Sequence, residues 1–374
     1  MSKRMLLGLN SLLLFLLLTA CETPNSSMPA PVPLAHTQSY GDSLHMTEKR
    51  DALYKFITEH LTGINGIYTN LRDSAQSSEA ASGHEVLSES AGLMLRYYAI
   101  AGQRSGFDAE WAKAKQTFDL ATGFSYRYSP VLNKRYTLNA AVDDLRIIRA
   151  LYEAGQTFKD EGYTNQAKTY GSRFYEHNVK DGYLYDFYDE TYKTTNRFIT
   201  LCYIDLKTLG MLDIESRQKD ALLANMLKTV KKGYISDDFP FYETRYDYGA
   251  QAYSSEGINT VESLLTILSL AEVRQHQPES IRFLKKQVLA GTLFGQYTRD
   301  GKPANDIRST AIYAIAAMIG SELGDKELYE ASIRRMNEFQ IRNTGSVLDG
   351  GFGDTASMQA YSFDNLNALL AYVY

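Results

Sequence analysis

Strongly apolar segments alternate with charge-rich amphipathic ones along most of this chain. Six apolar segments start with polar residues and recur at intervals of roughly 50 to 60 residues: VLSESAGLMLRYYAIAG, LNAAVDDLRIIRALYEAG, TNRFITLCYIDLKTLGM, EGINTVESLLTILSLAEV, IRSTAIYAIAAMIGSELG and YSFDNLNALLAYVY. Six amphipathic segments lie between them: EKRDALYKFITEHL, DAEWAKAKQTFDLA, YTNQAKTYGSRFYEHN, SRQKDALLANMLKTVKKG, ESIRFLKKQVLAG and KELYEASIRRMNEFQI. Helices that are apolar nearly all round are buried on every side, whereas helices with a charged face cover the outside. The pattern predicts six buried helices alternating with six surface helices.

This alternation resembles the (α/α)6 barrel, an all-α double ring whose inner helices run parallel to one another. An open solenoid of the tetratricopeptide kind is the competing arrangement, but its repeat is shorter and its two helices are more alike. In a closed ring, the polar N-terminal ends of the inner helices meet at one mouth. We therefore expect the functional side chains at that mouth.

The first residues form a different kind of segment. Residues 1–20 combine the basic residues Lys3 and Arg4 with an apolar run too short for a membrane span, as in a secretion signal. The sequence LTAC at residues 18–21 resembles the lipobox of bacterial lipoproteins, in which the cysteine, here Cys21, becomes the lipid-bearing first residue. This predicts a lipid-anchored protein on the extracytoplasmic face of the cell membrane. The alternative is a plain signal peptide with an incidental cysteine.

A tether and one domain follow the signal. Residues 21–46 hold four of the eight prolines of the chain, and their composition buries too little apolar surface to fold. Residues 47–374 have a globular composition without a second proline cluster or charge run. We predict a single domain there, and a monomer.

The amino-acid composition limits the kinds of ligand and partner that the protein is expected to bind. The net charge is -5, and no basic strip interleaved with aromatic residues indicates nucleic-acid binding. With Cys21 acylated, Cys202 is the only remaining cysteine, so no disulfide is expected, and it lies in an apolar segment typical of a buried thiol. No His or Cys spacing indicates a metal site, and no cofactor is expected. The 28 Tyr residues against a single Trp favour sugar binding, because tyrosine rings both stack and form hydrogen bonds.

Five carboxylates are expected at the mouth. Glu89 begins the first apolar helix, Asp143 and Asp144 begin the second, and Asp247 and Glu256 lie in the connection into the fourth. Hydrolysis of a glycosidic bond needs one protonated carboxyl group and one ionised carboxylate. Burial beside apolar residues raises the pKa of a carboxyl group, and Glu89, followed by small and apolar residues, suits the acid.

Two motifs resemble glycoside hydrolase family 8. Ser88-Glu89 and the following Leu93-Met94-Leu95 look like the family segment S-E-G-x-x-(Y)-G-M-L, whose glutamate is the proton donor. The segment A-V-D-D-L-R-I-I-R-A-L is similar to the family segment whose aspartate binds the distorted sugar. The resemblance implies that Glu89 is the acid and that Asp143 or Asp144 binds the sugar. It also implies an (α/α)6 barrel that cleaves β-linked glucans, xylans or chitosan with inversion, in some members alongside exopolysaccharide synthesis machinery.

The chain departs from the family at two places. Ser90 replaces the glycine that follows the glutamate, and Tyr253 is followed by Ser254 where the family base, an aspartate, is expected. The nearest Tyr-Asp pair is Tyr246-Asp247, which makes Asp247 the expected base and Glu256 the second choice.

Several further residues are candidates for substrate binding. Aromatic residues that could stack on sugar rings are Tyr188, Tyr192, Tyr246, Tyr248 and Tyr253, and Arg197 could bind the sugar hydroxyls or pair with an acid.

These observations predict a surface-anchored endo-acting glycoside hydrolase that cleaves a β-linked polysaccharide or exopolysaccharide with inversion. Two alternatives remain at this point. One is an unsaturated glucuronyl hydrolase or a polysaccharide lyase on the same scaffold. The other is a non-catalytic polysaccharide-binding lipoprotein.

Overall fold

The computed structural model describes residues 40–75 and 80–374, so Cys21, the predicted signal and most of the tether lie outside the described residues. The α-helices are α1 (Tyr40–Ser43), α2 (Thr47–Phe56), α3 (Ser88–Ile100), α4 (Arg104–Phe118), α5 (Ala141–Thr157), α6 (Glu161–Asn178), α7 (Leu206–Met211), α8 (Ser216–Lys232), α9 (Thr260–Glu272), α10 (Pro278–Ala290), α11 (Thr310–Leu323), α12 (Lys326–Asn337) and α13 (Ser362–Ala371). A π-helix, Ile57–Leu61, continues α2, and a 3-10 helix, Leu201–Tyr203, precedes α7. In these two described ranges, no helix is both long and apolar enough to cross a bilayer.

Six inner helices form a closed ring. In the order α3, α5, α7, α9, α11 and α13, each packs against the next, and α13 packs against α3. The helices α2, α4, α6, α8, α10 and α12 alternate with them along the chain and present charged residues to solvent. In α11 every residue from Thr310 to Gly320 is buried, as expected for a helix covered on all sides. The predicted (α/α)6 barrel is confirmed.

Short antiparallel strands cover one end of this ring. They are β1 (Thr62–Gly63), β2 (Gly66–Ile67), β3 (Val86–Leu87), β4 (Arg127–Ser129), β5 (Lys134–Arg135), β6 (Val179–Lys180), β7 (Tyr183–Leu184), β8 (Tyr188–Asp189), β9 (Thr194–Thr195), β10 (Phe198–Thr200), β11 (Arg245–Asp247), β12 (Ala252–Ser254), β13 (Ile258–Asn259) and β14 (Gln296–Tyr297). The sheets are β1-β2, β3-β4-β5, β6-β7, β8-β9, β10-β11-β12 and β13-β14. All of these strands lie in connections that lead from an outer helix into an inner one. They therefore gather at the N-terminal ends of the inner helices, around the mouth.

The third inner position differs from its prediction. Residues 195–211 were expected to form one apolar helix, but only α7 is α-helical there. The run Phe198-Ile199-Thr200 is aromatic and β-branched, which favours a strand, and β10 pairs with β11. Asp205 then starts α7, because its side chain accepts a hydrogen bond from the Thr208 amide. Cys202, expected within a buried helix, lies on the 3-10 helix and is partly exposed.

Buried charges connect the inner helices at the opposite end of the ring. Arg96 of α3 donates two hydrogen bonds to Glu153 of α5, at 3.0 and 2.9 Å. Arg149 of α5 donates to the same carboxylate at 3.0 Å and pairs with Glu272 of α9 at 2.6 Å. Because α3 and α9 are the first and fourth helices of the ring, these bonds cross its axis. We call Arg96, Arg149, Glu153 and Glu272 the basal ion network.

Candidate active site

Glu89 is the second residue of α3, at the mouth end of the ring. Its side chain is 24% exposed, whereas Ser88 and Ser90 on either side are buried. A Cβ atom at Gly92, one turn later, would lie 2.9 Å from the Cβ of Arg146. The glycine thus allows α5 to approach α3 closely enough for Arg146 to reach Glu89.

Arg146 bridges two carboxylates from neighbouring inner helices. Its Nη1 lies 2.6 Å from Oδ1 of Asp143, one turn earlier on α5, and 3.5 Å from Oε2 of Glu89. Ser88 Oγ donates to the other Asp143 oxygen at 3.4 Å. The first two inner helices therefore bring Glu89, Asp143 and Arg146 into one group, as the sequence predicts for the two acids.

Both carboxylates of this group have a raised pKa. Burial raises the pKa of Glu89, although the charge of Arg146 lowers it. Burial also raises the pKa of Asp143 from 3.8 to about 7, with Arg146 opposing the shift and the Glu89 charge adding to it. Two carboxylates share one guanidinium in a dehydrated site, so the group retains a proton near neutral pH. A general acid needs such a proton.

Asp144 has a different environment from its neighbour. Its carboxylate accepts hydrogen bonds from the Phe124 amide at 3.2 Å and from the Asn139 side chain at 2.8 Å. A Cβ atom at Gly123 would collide with this carboxylate. Burial raises the pKa of Asp144 well above its ordinary value, and these hydrogen bonds oppose the shift. Asp144 therefore anchors the loop before β4, and Asp143 is the member of the pair that contacts the Glu89 group.

A carboxylate that the sequence analysis did not select lies across the ring. Glu262 is the third residue of α9, which stands opposite α3 in the ring. Its amide donates to Asn259, the N-cap of the helix, at 3.3 Å, and the residue is partly exposed. Burial raises the pKa of Glu262, while a hydrogen bond from Thr244 and the charge of Arg245 lower it.

Cys202 lies near the N-terminal ends of both α5 and α9. Burial raises the pKa of its thiol; the charges of Glu262 and Asp186 raise it further, and that of Arg146 lowers it. The 3-10 helix that carries Cys202 packs against both α5 and α9. Glu262 and Arg146 are therefore both close enough to Cys202 for their charges to act on its thiol.

Asp186 and Tyr203 are also close to Cys202. Asp186 accepts hydrogen bonds from the amide and hydroxyl of Thr200 at 2.6 and 2.7 Å. Burial raises the pKa of Asp186 to about 6, against these bonds and the charge of Arg245. Burial also raises the pKa of Tyr203, and the charges of Asp143 and Glu89 contribute to the shift. The site thus contains four carboxylates with raised pKa and two guanidinium groups.

Asp247 is occupied by its own hairpin. It ends β11, and its Oδ1 accepts hydrogen bonds from the amides of Gly249 and Ala250, both at 2.8 Å. The Ala250 bond, with the Gly249 bond and the charge of Arg197, lowers the pKa of Asp247. The structure gives Asp247 a turn-capping contact, and Glu256, the second choice for the base, is exposed on the following loop.

The same turn recurs around the mouth. Asp189 accepts from the amides of Thr191 and Tyr192, at 2.9 and 3.2 Å. Asp354 accepts from Ala356 at 2.9 Å. In each turn the residue four positions later has positive φ: Lys193 (53°), Gln251 (52°) and Met358 (57°). Asp247 is therefore one copy of a repeated hairpin.

The predicted aromatic and arginine contacts lie around this hairpin. The rings of Tyr246 and Tyr253 are 4.7 Å apart, and Tyr253 donates its hydroxyl to Thr229 O at 2.7 Å. Tyr188 packs against His177 at 4.8 Å. Arg197 is exposed at the start of β10, and not at the start of a helix. Tyr248 donates its hydroxyl to Leu184 O at 2.6 Å, and Tyr192 is 78% exposed.

We looked for a metal-binding site in residues 40–75 and 80–374 and found no candidate. These ranges contain no group of three or more His, Cys, Asp or Glu side chains placed to hold a metal ion.

Comparison with known proteins agrees with this arrangement. No protein-family model matches the chain. A solved structure described as a novel alpha-amylase from Clostridium perfringens is 31% identical, with a TM-score of 0.80 over 87% of this chain and 97% of that one. The endoglucanase Cel10 from Klebsiella pneumoniae, described as a family 8 glycosyl hydrolase, is 12% identical, with a TM-score of 0.58 over 86% of this chain and 97% of its own. The chain belongs to the same glycoside hydrolase family as the clostridial protein and has the family 8 fold.

One relative of this family 8-like chain is named as a lipoprotein. YdaJ of Bacillus subtilis (strain 168), provisionally named a lipoprotein, is 26% identical over 296 residues, which make up 76% of this chain and 78% of YdaJ. The family and the fold expected from Ser88-Glu89 and the second apolar helix are thus confirmed.

Proposed function

We propose that this protein hydrolyses glycosidic bonds within a polysaccharide, with Glu89 as the proton donor. The observation that carries the proposal is the meeting of Glu89, Asp143 and Arg146 at the mouth of a ring that belongs to the family 8-like hydrolases. Glu89 is partly exposed, so a substrate can reach it, and burial keeps its pKa raised. Asp143 holds the sugar ring beside the acid, in the role expected from the second motif.

The second carboxylate of the reaction is Glu262 in this proposal. An inverting hydrolase places its base on the opposite side of the sugar from its acid, with about 6.5–9.5 Å between the carboxyl groups for a water molecule. Glu89 and Glu262 begin two helices that face each other across the ring. Asp247, the base expected from sequence, already accepts two amide hydrogen bonds, which weakens it as a base.

The substrate is proposed to be an uncharged or amino-bearing polysaccharide. Even with one proton retained between Glu89 and Asp143, the carboxylates outnumber the two guanidinium groups, so the site lacks the excess positive charge that would attract a polymer of uronic acids. This argues against a glucuronyl hydrolase or a lyase. We expect β-linked chains from the family resemblance. The relative described as an alpha-amylase favours α-linked glucan as a second candidate.

The protein is further proposed to act outside the cytoplasm from a lipid anchor at Cys21. The relative with a lipoprotein name supports this location. An anchored hydrolase would act on polymers near the cell surface, including an exopolysaccharide that the producing cell makes.

Amide substitutions test the assignment of the acid and the base. The assay measures new reducing ends from β-glucan, xylan, chitosan, starch and the producer's own matrix polymer. We expect Glu89→Gln and Glu262→Gln each to lower turnover at least about a hundredfold, the usual contribution of general acid–base groups. Asp247→Asn should retain most of the activity, because an amide oxygen can still accept the turn hydrogen bonds.

Each outcome of this experiment decides a separate point. Normal turnover by Glu89→Gln would refute the assignment of Glu89 as the acid. Loss of activity in Asp247→Asn, with normal activity in Glu262→Gln, would identify Asp247 as the base. Glu256→Gln is the matched control on an exposed loop. Proton NMR of the first products distinguishes inversion from retention.

A further inference from the structure

A cavity lies on the side of the barrel between α3 and α4, and it extends to the strands β1 and β2. Its volume is about 340 Å³, it is open to solvent on one side, and the π-helix, α3 and α4 supply most of its wall. The α3 residues in its wall, Met94 and Tyr98, are the seventh and eleventh of that helix, whereas Glu89 is the second. The cavity is therefore separate from the site at the mouth.

Glu110 is an unusual residue for the wall of such a cavity. Only 6% of the residue is exposed, and its Oε1 has no hydrogen-bond partner among the described residues. The other oxygen lies 3.7 Å from the Nζ of Lys113, one turn later on α4. A buried carboxylate oxygen without a donor is costly to the folded state. A ligand that supplies a hydrogen-bond donor would remove this cost.

The other polar groups of the wall supply both acceptors and donors. Thr58 donates its hydroxyl to Tyr54 O at 3.0 Å, and Thr62 donates to Ile57 O at 2.8 Å, so both protons are used. The hydroxyls of Tyr54 and Tyr98 lie 3.1 Å apart and share one hydrogen bond. A ligand with several hydroxyl donors matches this wall, and two tyrosine rings offer it apolar contact.

The backbone around the cavity is also unusual. The chain changes from α-helix to π-helix at Ile57–Leu61, which carries Thr58 into the wall. Single π-helical turns occur often at functional sites, because they disturb an otherwise regular helix. This backbone feature is independent of the unpaired Glu110 oxygen.

We propose that this cavity binds a sugar unit of a polysaccharide through its hydroxyl groups. The Glu110 carboxylate accepts from the sugar, Lys113 donates to a sugar oxygen, and the rings of Tyr54 and Tyr98 contact its C–H groups. Lys113 disfavours an organic cation, and Glu110 disfavours an anion. A second binding point would hold the polymer while another segment occupies the mouth, which raises the effective concentration there.

Filling the cavity from an exposed position tests the proposal. Ala109 is exposed on α4 and lines the cavity, whereas Ala112 is exposed on the same helix and does not. Both are changed to Phe in the full-length Glu89→Gln protein, which cannot consume the probe if Glu89 is the acid. Saturation-transfer NMR then measures binding of cellohexaose and of maltohexaose. We expect Ala109→Phe to lower the transferred signal by about half or more relative to Ala112→Phe, because it removes one of two binding sites.

The outcomes separate this cavity from the active site. Equal signals from the two Phe variants, at equal melting temperatures, would overturn the proposal, as would the absence of any signal in the parent. Complete loss of the transferred signal in Ala109→Phe would support sugar binding in the side cavity and would contradict sugar binding at the mouth. Glu110→Gln, which keeps the shape of the wall, should weaken binding as well; unchanged binding would contradict the role of the carboxylate.

Discussion

At the scale of single residues, the hydrogen-bond partners decide what each acid can do. Asp143 and Asp144 are adjacent in sequence, yet Asp143 pairs with Arg146 and Asp144 is held by Asn139 and a backbone amide. Sequence alone left the choice between them open, because both fall in the first turn of α5. Their neighbours in space come from other parts of the chain.

Glu89 and Glu262 both lie in the first turn of an apolar segment, but only Glu89 lies in a motif that resembles the family. Glu89 lies in a motif that resembles a known family, and its glutamate stands among small and apolar residues. Glu262 lies in a similar context, Val261-Glu262-Ser263, in the first turn of the fourth apolar segment. Comparing the starts of all six segments would have identified it, since the repeat places equivalent positions at the same mouth.

The titration of Asp143 predicts a pH-dependent stability. Its pKa rises from 3.8 to about 7 on folding, so the folded state binds this proton more tightly. The resulting stabilisation is complete below pH 3.8 and is lost as the pH rises through 7. Between these values the unfolding free energy should fall by about 1.4 kcal/mol per pH unit from this group.

Urea unfolding at a series of pH values measures this slope. The comparison protein is Asp143→Asn, which keeps the size of the side chain and cannot titrate. The groups that face Asp143, namely Arg146, Glu89, Ser88 and Tyr203, are unchanged in it. Identical slopes for the two proteins between pH 4 and pH 7 would contradict the raised pKa.

At the scale of elements, the repeated hairpins give Asp247 a structural role. The Tyr246-Asp247 pair suggested a catalytic base, but Asp247 occupies the position that Asp189 and Asp354 hold in other hairpins. A carboxylate there satisfies amides that would otherwise lack partners in a tight turn. The short third inner helix is a related case, because strand pairing between β10 and β11 outweighed the apolar pattern.

The hairpin role predicts matching losses of stability. Asp247→Ala and Asp189→Ala should each lower the melting temperature, since each removes a pair of turn hydrogen bonds. Thermal denaturation of the two variants checks this. A stability effect at Asp189 without one at Asp247 would show that the two turns are not equivalent.

At the scale of the whole molecule, the double ring was predictable because its repeat is regular. Six apolar and six charged helices follow from periodicity, and the closed ring follows from their number. The basal ion network was not predicted, because Arg96, Arg149 and Glu153 interrupt apolar faces without a local signal. Their partners on other helices become visible only in the folded chain.

Removing one member of the basal ion network should be strongly destabilising. Glu153→Gln leaves two buried guanidinium groups with reduced neutralisation, which costs about 3–5 kcal/mol in comparable buried pairs. The control is Glu176→Gln on the exposed face of α6, which should change stability by less than about 0.5 kcal/mol. Chemical denaturation compares the two, and equal small effects would contradict the importance of the network.

The basal ion network also restricts how a long polymer can move. Salt bridges from α3 through α5 to α9 cross the axis of the ring, so the barrel is blind-ended. A polysaccharide cannot thread through it lengthwise. For the proposed hydrolase, every segment of substrate would enter and leave by the mouth, so a chain would be bound at its middle without a free end.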